Sequence, residues 1–125
     1  MPVEPGLSAE VELTVTDEDT AFALHSGDVL VLGTPRIIAL CEQATMAAVE
    51  GKLEPNETAV GHTIQLDHVA PTKIGGRVRA EASLQRVAGR RLIFTVSVTD
   101  ARGLVAAGKI TRVIVDRDRF MENAH

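Results

Sequence analysis

Thr34, Glu42 and His68 put a hydroxyl, a carboxylate and an imidazole into otherwise apolar stretches, and these are the side-chain types that acyl transfer requires. Glu42 falls on a helical wheel between Ile38, Thr45, Met46 and Val49, at the boundary of an apolar stripe. There it either reaches outward to a cation or, partly desolvated, serves as nucleophile or general base. His68 is in line with Ile64 and Leu66 on the apolar face of an alternating strand. It is either a satisfied core histidine or a proton carrier, since imidazole exchanges protons near pH 7. Thr34 precedes Pro35 and reads as a helix cap. Its hydroxyl gains a second use only if a base reaches it, and free backbone N–H groups at a helix start would favour developing negative charge.

These three residues need a frame. Val11, Leu13 and Val15 alternate with polar residues, the pattern of a half-buried strand ended by Asp17-Glu18-Asp19. Val29–Leu32 is a short apolar run, after which Thr34 as N-cap and Pro35 at the first helical position open a helix that runs to Glu50 and stops at Gly51. Arg36, Gln43, Ala47 and Glu50 share the predicted solvent side, with Ile37, Cys41, Ala44 and Ala48 opposite. Four further strands follow: Thr58–Ala70, one marked by Val78 to Leu84, one marked by Leu92 to Val98, and Leu104–Val115. Short turns around Gly89 and Asp100–Gly103 predict antiparallel neighbours. One apolar helix among strands predicts an α+β hotdog architecture, an antiparallel sheet wrapped around one long central helix, with edges that often make a dimer.

Length and composition set outer limits. A chain of 125 residues, 45% apolar and 24% charged, predicts one globular domain over residues 1–125. Its only aromatics are Phe22, Phe94 and Phe120, which disfavours a base-stacking platform, and a net charge of −4 disfavours a nucleic-acid partner. Charge is unevenly spread: residues 1–57 hold 11 acidic and 2 basic side chains, residues 58–125 hold 6 and 11. The basic half is either a set of solvated strand edges or a surface for a small anionic ligand. Cys41, the single cysteine, sits in an apolar run and reads as a buried inert thiol in a reducing compartment. The longest stretch free of charge, Thr58–Leu66, is far too short for a membrane span, and the N-terminus lacks a signal-peptide pattern, so a cytoplasmic location is expected. His25, His62, His68 and His125 lack metal-ligand spacing, and no bound metal or cofactor is expected.

Local strings carry a resemblance. Val31-Leu32-Gly33-Thr34-Pro35, the helix bearing Ala39-Leu40-Cys41-Glu42, Thr58-Ala59-Val60-Gly61-His62, and Leu66-Asp67-His68-Val69-Ala70-Pro71-Thr72 before Gly75-Gly76 resemble the fluoroacetyl-CoA thioesterase-like group of hotdog-fold acyl-CoA thioesterases. The resemblance covers residues 24–120, with eight residues from Thr34 to Glu42 and seven from Gly61 to His68. It implies a thioester hydrolase with Thr34, Glu42 and His68 as catalytic residues, Gly61 offering its N–H to the thioester carbonyl, and Arg112 near the coenzyme A end. It also implies a homodimer, with dimers of dimers left open, and a catalytic site at the dimer interface. Either Glu42 attacks or activates water while His68 handles the proton, or Thr34 attacks with His68 as base. Lys73, Arg77, Arg79, Arg90 and Arg91 are candidate partners for the coenzyme's phosphates. No aromatic lies in Asp28–Thr34, where the fluoroacetyl-specific member has an aromatic gate, so the acyl group is left open. The alternative is a non-catalytic acyl-CoA-binding or sensing dimer of the same fold.

Overall fold

In the computed structural model, which describes residues 2–125, the alternating segments become strands β1 (Ser8–Thr14), β2 (Glu57–His68), β3 (Arg77–Ala88), β4 (Arg91–Asp100) and β5 (Gly103–Asp116). They form one antiparallel sheet in the order β1-β3-β4-β5-β2. The single long helix α1 (Thr34–Ala48) crosses one face of it. Ile37, Leu40, Cys41 and Ala44 of α1 are fully buried against Ala80, Ala82, Leu84, Phe94 and Val98. Alanines on β3 beneath the helix let the two backbones approach, and the larger Phe94 and Leu92 fill the space beside them. This is the hotdog arrangement expected from one apolar helix among strands.

Three local expectations are corrected, and one short element is new. The turns at Gly89, with its φ of 63°, and at Ala101-Arg102 do make hairpins, but β2 does not pair with β3. The connection 69–76 is long enough to carry the chain across, leaving β2 on one edge beside β5 and β1 on the other beside β3. Thr34 is not the helix cap: Gly33 holds that place in extended conformation, without a side-chain bond, and Thr34 is already helical. The open side of α1 is also rotated from the expected one. Arg36 is drawn inward by Asp19, with Nε 3.0 Å from Oδ1, while Pro35, Ala39, Gln43 and Met46 are exposed. Finally, Asp116 accepts a hydrogen bond from the Arg119 amide and starts a short helix α2 (Arg117–Glu122) that the alternation does not foretell.

Strand β2 carries one irregularity. Its register against β5 pairs Gly61 with Arg112 and then Thr63 with Thr111, so His62 is an extra residue. Opposed residues in an antiparallel pair share a face. Arg112, Ile110 and Ala106 are buried on the helix side of β5, and their partners Gly61, Ile64 and His68 therefore share that side. Strict alternation would have put Gly61 and His68, seven residues apart, on opposite faces.

Candidate active site

The chain leading into α1 is sewn between two other segments. The Leu32 amide donates to the Thr72 carbonyl at 2.8 Å, the Gly33 amide donates to the Asp19 carbonyl at 2.9 Å, and Val31 bridges to Lys73. A Cβ on Gly33 would stand 3.1 Å from the Ala21 backbone, so glycine permits this close passage. The end of β2 is pinned in turn, because the amides of Val69 and Ala70 both donate to the Val105 carbonyl, at 2.8 and 3.2 Å. The start of the helix thereby meets the end of the strand. Thr34 Oγ1 lies 2.7 Å from His68 Nδ1, and the other ring nitrogen, Nε2, is buried with no hydrogen-bond partner. A ring whose Nδ1 accepts from the hydroxyl carries its proton on Nε2. Val31, His68, Val69, Ala70 and Pro71 line a shallow cavity of about 240 Å³ at this point.

The helix start does not supply the expected row of free amides. Pro35 has none, and the amides of Arg36 and Ile37 both bond the Gly33 carbonyl, at 3.0 and 3.1 Å.

A second cluster lies two turns along α1. Arg112, only 5% exposed, donates through Nη2 to the Ala59 carbonyl at 2.7 Å and sets Nη1 3.5 Å from Glu42 Oε2. Burial pulls the Arg112 pKa below its ordinary value, and the neighbouring Glu42 carboxylate opposes that shift. A Cβ on Gly61 would stand 2.6 Å from Glu42 Oε2, so the bare glycine is what lets the carboxylate lie against β2. Next to it, burial and then the Glu42 charge push the Cys41 thiol up to about 11, which makes it a poor nucleophile.

Thr34 and His68 are thus joined, and so are Glu42, Arg112 and Gly61. Among the described residues no hydrogen bond links the two clusters. Eight helical residues separate Thr34 from Glu42, about 12 Å along the axis. Sequence reasoning missed Asp19, read only as part of an acidic strand end. Asp19 accepts from the amide and hydroxyl of Thr16 and from Arg36, and so steadies the segment that delivers Thr34. The Thr16-x-x-Asp19 spacing of a capping box was the available signal. A larger cavity, about 570 Å³, lies at the other end of α1 against Gln43, Met46 and Leu53 and touches none of the five site candidates. Among the described residues there is no group of three or more His, Cys, Asp or Glu side chains fit to hold a metal ion. No helix there is long and apolar enough to cross a membrane.

Known proteins share this frame. The fluoroacetyl-CoA thioesterase of Streptantibioticus cattleyicolor is 33% identical over 90 residues, a match spanning 72% of this chain and 65% of that protein. The chain therefore aligns with slightly less than two thirds of that relative's length. A variant of the fluoroacetyl-CoA-specific thioesterase FlK, solved with fluoroacetate and CoA, superposes with a TM-score of 0.89 at 27% identity, covering 94% of this chain and 99% of that one. A Thermus thermophilus thioesterase superfamily member does so with a TM-score of 0.89 at 27% identity, covering 97% and 90%. Residues 15–118 match the family described as fluoroacetyl-CoA-specific thioesterase. That span contains both clusters and strands β2 to β5, and the chain belongs to this family of hotdog-fold thioesterases.

Proposed function

We propose that this protein hydrolyses a small or medium acyl-CoA to a carboxylate and free coenzyme A. The observation that carries the proposal is the Thr34–His68 contact at 2.7 Å, made by a ring that lines a shallow cavity and whose buried Nε2 has no other partner. The solved relative that holds fluoroacetate and CoA supports the choice of ligand.

The proposed scheme uses three side chains, one backbone amide and a water. Glu42 either attacks the thioester carbonyl, giving a mixed anhydride, or takes a proton from the attacking water. Gly61 offers its N–H to the carbonyl oxygen as charge develops there. The carbon–sulfur bond breaks and coenzyme A leaves as the thiolate. Where Glu42 has taken the water's proton, His68 relays that proton to the thiolate; where Glu42 has formed the anhydride, one water splits it, His68 relays a proton of that water to the thiolate, and Glu42 is restored as the carboxylate. Thr34 orients the ring. Without an aromatic in Asp28–Thr34, the acyl end is not confined by the gate of the fluoroacetyl-specific member.

The separation of the two clusters along α1 argues that each site is shared between two copies. β2 is a 12-residue strand paired on one side only, which leaves an edge of that length open to a second copy. Two antiparallel copies of β2 about a two-fold axis between Ile64 and Gln65 would set Gly61 opposite the partner's His68. The Glu42 cluster of one protomer would then face the Thr34–His68 pair of the other, twice per dimer.

The test is thiol release from a panel of acyl-CoA esters, with Glu42→Ala and His68→Ala alongside. Turnover lost in both folded variants is expected. Acyl-CoA binding that survives both changes, with no turnover by the wild type, would leave a binding module instead. Mixing the two inactive variants then tests the shared site: a mixed dimer regains one intact site if the clusters cross the interface and none if they do not.

A further inference from the structure

A coenzyme A thioester also carries a phosphate-bearing end, and five of this chain's 13 lysines and arginines are already engaged. Arg36, Arg77, Arg79, Arg90 and Arg112 pair with Asp19, Glu12, Glu10, Glu57 and Glu42. Pairing accounts for four of the 11 cations in the basic half, Arg77, Arg79, Arg90 and Arg112. Among the others, Lys73 and Arg102 are set apart by their place. Among the described residues neither has a carboxylate within 4.0 Å, yet they come from separate loops to line one cavity of about 440 Å³.

The cavity is built around them. Asp100, on its wall, accepts through Oδ1 from the amides of Arg102 and Gly103, at 2.8 and 3.1 Å, and so shapes the turn that carries Arg102. Arg77 adds a third cation, with Glu12 as its partner. A side chain on Gly76 would meet Thr72 Cγ2 at 2.7 Å and the Lys73 carbonyl at 3.1 Å, so glycine lets the Thr72–Lys73 wall close up. Val31 and Pro71 line both this cavity and the one at His68, which makes the two neighbours along one groove. Five residues part His68 from Lys73, a span of at most about 17 Å, within reach of an extended pantetheine arm.

We propose that Lys73 and Arg102 receive the phosphates of the coenzyme A moiety, with the pantetheine arm lying over Val31 and Pro71. This rests on the thioesterase reading and adds where the substrate's charged end is held. Cations that spend no energy on an internal carboxylate are the ones able to gain from a phosphate.

The test compares the wild type with the double variant Lys73→Ala/Arg102→Ala, and with Lys73→Gln/Arg102→Gln should the first fold poorly. Both are assayed on an acyl-CoA and on the matching S-acyl-pantetheine, which has no phosphate, and CoA binding is measured by calorimetry. The expected result is a KM for acyl-CoA raised roughly 10–100-fold with kcat kept, CoA affinity weakened to match, and acyl-pantetheine turnover unaltered. An unchanged KM and unchanged CoA affinity would overturn the assignment, as would an equal loss on both substrates. If the wild type hydrolyses neither ester, the thioesterase reading fails. The calorimetry still decides the cations: weaker CoA binding in the variant upholds them, and equal or absent binding rejects them.

Discussion

Gly61 and Glu42 stand so close that a single added methyl group on the glycine would come within 2.6 Å of the carboxylate oxygen. The obstructed atom is the far end of a flexible side chain, so the fold can yield where the chemistry cannot. Gly61→Ala is expected to shift Glu42 away from Arg112 and lower kcat at least 100-fold, at a stability cost of about 1 kcal/mol or less. Thiol-release kinetics paired with a urea titration would check this, and an active alanine variant would remove Glu42's placement from the mechanism.

Thr34 should act through its hydroxyl rather than its shape. Thr34→Val keeps the volume but leaves His68 Nδ1 without its partner at 2.7 Å. Thr34→Ser restores the oxygen. The expected outcome is a large kcat loss in the valine variant and substantial recovery in the serine variant, with nitrogen NMR reading the His68 tautomer in each. If valine and serine behave alike, the hydroxyl has no part in the reaction.

Arg112→Met tests the second cluster. It retains bulk but leaves the Ala59 carbonyl and the Glu42 carboxylate without their guanidinium. Losing a buried charged donor of this kind costs about 2–4 kcal/mol. Glu42→Gln should cost much less, since that side chain is 32% exposed and can turn to water. Chemical denaturation of the two variants checks the order, and equal costs would contradict it.

Asp19 gives a pH dependence whose sign can be worked out. Burial raises its pKa, but hydrogen bonds from the Thr16 amide and hydroxyl and the Arg36 guanidinium outweigh that and hold it below 3.8. The folded state therefore releases a proton that the unfolded chain keeps. The stabilisation is present above the unfolded value and is lost as the pH falls through the folded one. Asp19→Asn should lower stability by about 1–3 kcal/mol near neutrality, with the gap to wild type closing in strong acid. A constant gap from pH 7 down to acid unfolding would exclude this role.

The sequence made the elements readable but not all of their relations. Apolar alternation and helical periodicity locate α1 and the strands, because burial acts on every residue of a segment and leaves a repeated mark. Arg36 misleads on the wheel because its partner, Asp19, lies in a different segment, and periodicity holds no record of a distant carboxylate. The edge position of β2 is hidden for the same reason: Ile64 and Leu66 look equally apolar whether the next strand is β3 or β5. Thr34 before Pro35 invites a capping assignment, and only the folded path of residues 31–33 shows its hydroxyl turned to His68 instead. The candidate residues were visible as types out of place, whereas their division into two clusters depends on tertiary contacts.

His62 has a consequence for any change of length in β2. A strand presents its side chains in two phases, and this residue is a single-step phase shift: Gly61 keeps time with Ala59, while Ile64, Leu66 and His68 keep time with one another. Deleting it would leave composition, charge and hydropathy almost untouched. It would also force a choice between turning His68 to the outer surface and turning Gly61 away from Glu42. The two clusters are kept in step by a residue that belongs to neither.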